Sequence, residues 1–235
     1  MKRLVVALLC VVALAACGDD GDDGPGGGLG ALATTTTEAE APEETTTTEA
    51  EATTTTTEAA DGLDLPDGWR EVGNEEFAMG LPEGWIDGEQ ILEDPELATF
   101  LEDVLGGEAN ARATLAQVDL IAFEETAVSA GFGNNVNVIA NPRSPLDELD
   151  TIEPTIESQL APIGATVTSI ERVDGFGGEA MRVEYDYDLE GESLLGYLYF
   201  ILGEETTAVV TFTASTGSEQ PETYADIAST LTFVG

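Results

Sequence analysis

From Leu63 onward the apolar residues recur with a period of two in some stretches and of three to four in others, and the switches between them mark the elements. Phe77 to Leu81 reads as a strand closed by the turn Pro82-Glu83-Gly84-Trp85. Asp94-Pro95 predicts a helix start, with an acid at the N-cap and proline at the first helical position; Leu97, Phe100, Leu101, Val104 and Leu105 then share one face as far as Gly106-Gly107. Strands are expected at Gln117 to Phe123 and Asn135 to Ala140. A second helical stripe, Leu149, Ile152, Ile156, Leu160 and Ile163, runs from Ser144-Pro145 to Gly164, with Pro154 dividing it. Four strands follow, Thr166 to Val173, Ala180 to Asp188, Leu194 to Leu202 and Thr207 to Ala214, joined by short Gly and acid turns suited to antiparallel hairpins. A last helix, Glu219 to Leu231, turns Tyr224, Ile227, Ala228 and Leu231 inward. Strands in runs with helices inserted between them predict an α+β domain, an antiparallel β-sheet sandwiched by helices.

The first 62 residues follow neither period. Lys2 and Arg3 precede an apolar run, Leu4 to Ala13, and then Leu14-Ala15-Ala16-Cys17-Gly18, after which polarity changes completely. That is the layout of an export signal, because about ten apolar residues fall short of the roughly 20 that span a bilayer. Leu-Ala-Ala-Cys resembles the lipobox of bacterial lipoproteins. The resemblance implies a diacylglycerol on the Cys17 thiol, cleavage ahead of Cys17, and a palmitate-like acyl anchor on the outer face of the cell membrane. Ordinary secretory cleavage near Ala16 is the plainer alternative. Residues 1–16 are therefore assigned as a lipoprotein signal peptide, 17–62 as a lipid-anchored linker and 63–235 as the folded domain. The linker repeats TTTTEAEAPEE, TTTTEAEA and TTTTTEAA carry no large apolar residue to offset chain entropy, which predicts a disordered, low-complexity spacer. As a coil of about 45 residues it would span roughly 35–40 Å, and its threonine clusters are candidates for O-linked sugars.

Charge narrows the list of partners. Twelve of the 47 acids precede Leu63, leaving 35 against Arg70, Arg112, Arg143, Arg172 and Arg182, a net domain charge of −30. A phosphate backbone requires a basic stripe, so nucleic acid is excluded, and an anionic headgroup surface is repelled for the same reason. The two cysteines, Cys10 and Cys17, both precede the domain, so its stability rests on a core without disulfides.

Candidate chemistry is sparse. The chain has no histidine, and its only lysine is Lys2, which removes imidazole and amine catalysis and His-ligated metals from the domain. Carboxylates remain. Paired acids run glycoside hydrolysis only at a set separation within a sugar cleft, so a carboxylate-dependent hydrolase is a distant reading. Glu184, Asp186 and Asp188 alternate with Tyr185 and Tyr187 on one strand, placing three carboxylates on a single face. Ca²⁺ takes such oxygens, which makes these acids a weak metal candidate; a straight strand does not fold around an ion, and a solvated face explains them as well. GFGNN at Gly131 and GFGG at Gly175 lack the context of a phosphate loop and read as hairpin turns. No cofactor is implied.

NEEFAMGLPEGW, VDGFGGEAMRVEYDYD, LLGYLYFILGEETTAVVTFTAS and YADIASTLTF, spread over Trp69 to Val234, are similar to the PsbP-like fold found in LpqN-type lipoproteins and Mog-type proteins. The resemblance implies an antiparallel sheet between helices, and partner binding or assembly work without catalysis. The segment Asp94 to Leu105 and the acid content depart from it. Together these readings give a membrane-anchored envelope lipoprotein with a non-catalytic partner-binding domain. Trp69, Trp85 and Phe132 are its candidate contacts with an unknown envelope protein. A carrier of a lipid or small apolar ligand is the alternative.

Overall fold

The computed structural model describes residues 63–93, 98–99, 107, 115–128, 134–189 and 191–234. The expected signal, linker and Cys17, the helix from Asp94 apart from the helical residues 98–99, and the turn at Gly131 with Phe132 lie outside the described residues.

The described strands are β1 (Trp69–Gly73), β2 (Phe77–Pro82), β3 (Trp85–Asp87), β4 (Leu120–Glu124), β5 (Asn135–Pro142), β6 (Thr166–Val173), β7 (Glu179–Leu189), β8 (Glu192–Leu202), β9 (Thr206–Ser215) and β10 (Thr232–Phe233). Their helices are α1 (Gly88–Glu93), α2 (Glu125–Val128), α3 (Leu149–Ile152), α4 (Ile156–Leu160) and α5 (Pro221–Ser229). Seven strands form one sheet in the order β3-β4-β5-β9-β8-β7-β6, and a smaller sheet runs β1-β2-β10. Each of these pairings is antiparallel.

Alternation along the strands gives the large sheet two apolar faces. On one, Met181, Val183, Phe200 and Leu198 pack with Leu149 of α3 and Ile156 and Leu160 of α4. Pro154 has no N–H to continue the helix, so the chain passes from α3 through the 3-10 turn Glu153–Thr155 into α4, and Gly164 ends the region in the left-handed conformation at φ 74°. On the other face, Val136, Val138, Tyr197, Ile201 and Phe212 pack with Tyr224, Ile227 and Ala228 of α5 and with Phe77, Met79 and Leu81 of β2. The mixed α+β class holds, but the sandwich differs from expectation, because the second face is covered by one helix and a small sheet. The cause is β1 and β10. Asp67-Gly68 turns the chain into β1, whose Arg70 and Glu71 mask its alternation, and a two-residue strand such as β10 leaves no period to read.

No helix among the described residues is long and apolar enough to cross a membrane.

Candidate functional site

Trp69 opens β1 immediately after the lead segment 63–68, which is tied down by Leu63 N–H donating to Glu71 Oε2 at 3.0 Å and Trp69 N–H donating to Pro66 O at 3.1 Å. Its indole lies across Gly80 of β2. A Cβ at Gly80 would come 2.5 Å from Leu65 Cδ2, 3.1 Å from Trp69 Cε3 and 3.3 Å from Thr230 Oγ1, so the bare backbone there is what lets the three groups converge. Gly80 N–H donates to Thr230 Oγ1 at 2.8 Å across 150 residues of sequence, and the Thr230 hydroxyl in turn donates to Ile227 O at 2.6 Å. The end of α5 is thereby fixed against the start of the domain. Between them runs a groove of about 510 Å³ whose walls include Asp64, Leu65, Trp69, Asp226 and Ser229. None of the described residues lining it is cationic.

The other candidates fall elsewhere. Trp85 is 5% exposed and belongs to the core, so it is withdrawn as a surface contact; Pro82-Glu83-Gly84 turns β2 directly into β3 and swings the indole under the small sheet. Phe132 lies outside the described residues. Glu184 pairs with Arg182 at 3.1 Å, and Asp188 accepts from Ser193 Oγ at 2.9 Å. Among the described residues no three acids gather where an ion would sit; Glu184, Asp186 and Asp188, the metal candidates, stand side by side on a straight strand.

Two further grooves flank the sheets. One of about 380 Å³ is lined by Arg70, Glu71, Asp87 and Asp119 among others. Its carboxylates hold the structure itself: Asp87 accepts from Arg70 at 2.7 Å and from Gln90 N–H at 2.9 Å, and Asp119 from Ala140 N–H at 2.7 Å. The other, of about 460 Å³, contains Arg143 and Arg172 with Glu148, Asp150, Asp174 and Glu179. Arg143 donates to Gly203 O at 2.6 Å, and Arg172 to Asp150 and Glu153 at 2.8 Å each. Every described arginine is thus engaged, Arg182 with Glu171 and Glu184. All three of these grooves among the described residues carry carboxylates.

A polar square was not anticipated. Asn135 and Asn137 of β5 lie opposite Thr213 and Thr211 of β9, all four buried on one face of the large sheet. The amide of Asn137 and the hydroxyl of Thr211 reach no hydrogen-bond partner. A buried hydroxyl left unpaired costs about 1–3 kcal/mol, so Thr211→Val, which keeps the volume and removes the orphan, is expected to raise stability by about 1 kcal/mol in urea denaturation. A loss of stability instead would mean that the hydroxyl is satisfied by a bound water or other group.

No family model matches the chain, and no curated protein does. Solved structures give partial likenesses. A Bacteroides thetaiotaomicron protein is 14% identical over 67% of this chain and 44% of its own, with a TM-score of 0.42. LpqN of Mycobacterium tuberculosis, described as involved in cell envelope biogenesis, is 12% identical over 74% of this chain and 83% of its own, with a TM-score of 0.37. A Pseudomonas aeruginosa protein of unknown function is 16% identical over 37% of this chain and 63% of its own, with a TM-score of 0.30. The chain thus spans less than half of the Bacteroides protein. At these values the likenesses are partial, and the fold stands on its own strand order.

Proposed function

We propose that this chain is a lipid-anchored protein of the bacterial cell envelope whose domain binds a partner and catalyses nothing. The observation that carries the anchor is Leu14-Ala15-Ala16-Cys17 after a short apolar run, followed at once by an acidic, threonine-rich spacer. Two or more acyl chains hold a protein stably at a bilayer where one holds it only reversibly. Support for binding over catalysis comes from the domain: it lacks histidine, lysine and cysteine, and its groove carboxylates in the Arg70 cleft are occupied in holding backbone and arginine.

Replacing Cys17 by Ala tests the anchor by cell fractionation. The substituted protein is expected to leave the membrane fraction or to accumulate with its signal uncleaved. Membrane retention of a correctly cleaved Cys17→Ala protein would show that something other than the lipid holds it.

A further inference from the structure

We infer that the groove between the lead segment and the end of α5 is a docking site for a basic polypeptide segment, whose lysine or arginine side chain lies on the Trp69 indole between Asp64 and Asp226. This rests on the reading of the domain as a partner-binding module and names the chemistry of the partner. The groove combines an aromatic wall with carboxylates, and each feature favours a cation for its own reason. An indole face attracts a cation through its quadrupole, and the attraction grows where the ring is partly shielded from water, as Trp69 is against Gly80 and Leu65. Asp64 and Asp226 are exposed, and neither carboxylate is engaged by a protein group among the described residues. A volume of about 510 Å³ holds one long side chain and its neighbouring backbone. The domain's charge of −30 draws such a segment in from a distance.

The same observations exclude other sources of the cation. A second copy of this chain brings the same net charge of −30, which opposes its approach; its domain has no lysine, and four of its five domain arginines are already engaged. A phospholipid amine brings a phosphate beside it, which so acidic a domain repels. A neutral sugar would stack on the indole but gain nothing from two carboxylates.

The test uses the full-length lipoprotein in non-ionic detergent and a dye-labelled peptide of alternating arginine and alanine, read by fluorescence polarisation. Asp64→Asn with Asp226→Asn is compared with Glu157→Gln and Glu204→Gln, a pair that removes the same charge at exposed positions away from the groove. The groove pair is expected to weaken binding about tenfold, and Trp69→Ala similarly, with the control pair within about twofold of wild type. Because Trp85 is buried, a change in tryptophan emission on titration reports Trp69. The Asp pair stands as the deciding variant should Trp69→Ala fold poorly. Equal weakening by both pairs would overturn the groove while leaving a charge-driven binding module intact. Failure of wild type to bind the peptide would overturn the basic-segment assignment, and neither result touches the anchor, which the Cys17 substitution decides separately.

Discussion

Trp85→Ala is expected to lower the stability of the domain by about 3–5 kcal/mol, the range for removing a large aromatic from a close-packed interior. The indole is 5% exposed and packs in the core that includes Phe77, Met79, Leu81 and Tyr224. Its strand supplies little redundancy, since β3 has three residues and lies at the edge of the large sheet. The Trp85 carbonyl also accepts from Arg70 Nη2 at 2.9 Å, so a shift of β3 into the vacated space would disturb the contact that links the two sheets. Against a typical total of about 5–15 kcal/mol, such a loss brings the domain close to unfolding. Trp69→Ala, at a half-buried position, is expected to cost under about 2 kcal/mol. Urea denaturation of the two variants side by side checks the contrast. Equal costs would mean that Trp85 is no more a core residue than Trp69.

Much of this architecture is legible in the chain because its later strands are long apolar runs bounded by Gly and acid turns. Thr166 to Val173 is read with the observed bounds, and Ala180 to Asp188 falls short of β7 by one residue at each end. The stripe through Leu149, Ile156 and Leu160 packs as its spacing requires, and Tyr224, Ile227 and Ala228 are buried as the last helical period demands, while Leu231 is buried beyond the end of α5, which stops at Ser229 and not at the expected Leu231. Failures occur where a short segment or a distant one decides the outcome. Three residues of β3 carry no period, so nothing local tells whether Trp85 faces in or out. In NVNV of β5 and TFT of β9 polar and apolar residues alternate, yet Asn137 is 1% exposed and Thr211 is fully buried. The groove is the clearest case: Trp69 is visible as an aromatic at the domain's start, but Asp226 and Thr230 join it only because α5 returns to the lead segment, and no spacing along the chain announces that.

Alkaline unfolding should be governed by tyrosine. The domain contains no lysine, histidine or cysteine, so its only side chains that titrate between about pH 9 and 12 are its five tyrosines, all of them buried. Tyr199 meets Phe212 edge-on at 5.9 Å, and Phe212 stacks on Tyr224 at 4.7 Å. Burial pushes the Tyr199 phenol up to about 12, with the nearby Arg182 opposing it, and pushes Tyr224 higher still; Tyr197 is raised as well, by burial and then by Glu184. A phenol raised in the folded state keeps its proton there while the unfolded chain loses it above about pH 10. Stability is therefore whole below pH 10 and falls as the pH climbs toward 12, and Tyr199 alone accounts for a loss on the order of 3 kcal/mol at most. The tyrosinate absorbance of Tyr197, Tyr199 and Tyr224 is expected to rise together with the loss of far-ultraviolet circular dichroism, because these raised phenols keep their protons until the sheet opens. The Tyr199 hydroxyl lies beside Arg182 without a well-formed hydrogen bond, so Tyr199→Phe should leave stability at pH 7 close to unchanged and move the alkaline midpoint upward. Phenols that ionise near pH 10 while the sheet signal stays intact would show that the tyrosines are open to solvent and that burial does not hold their protons.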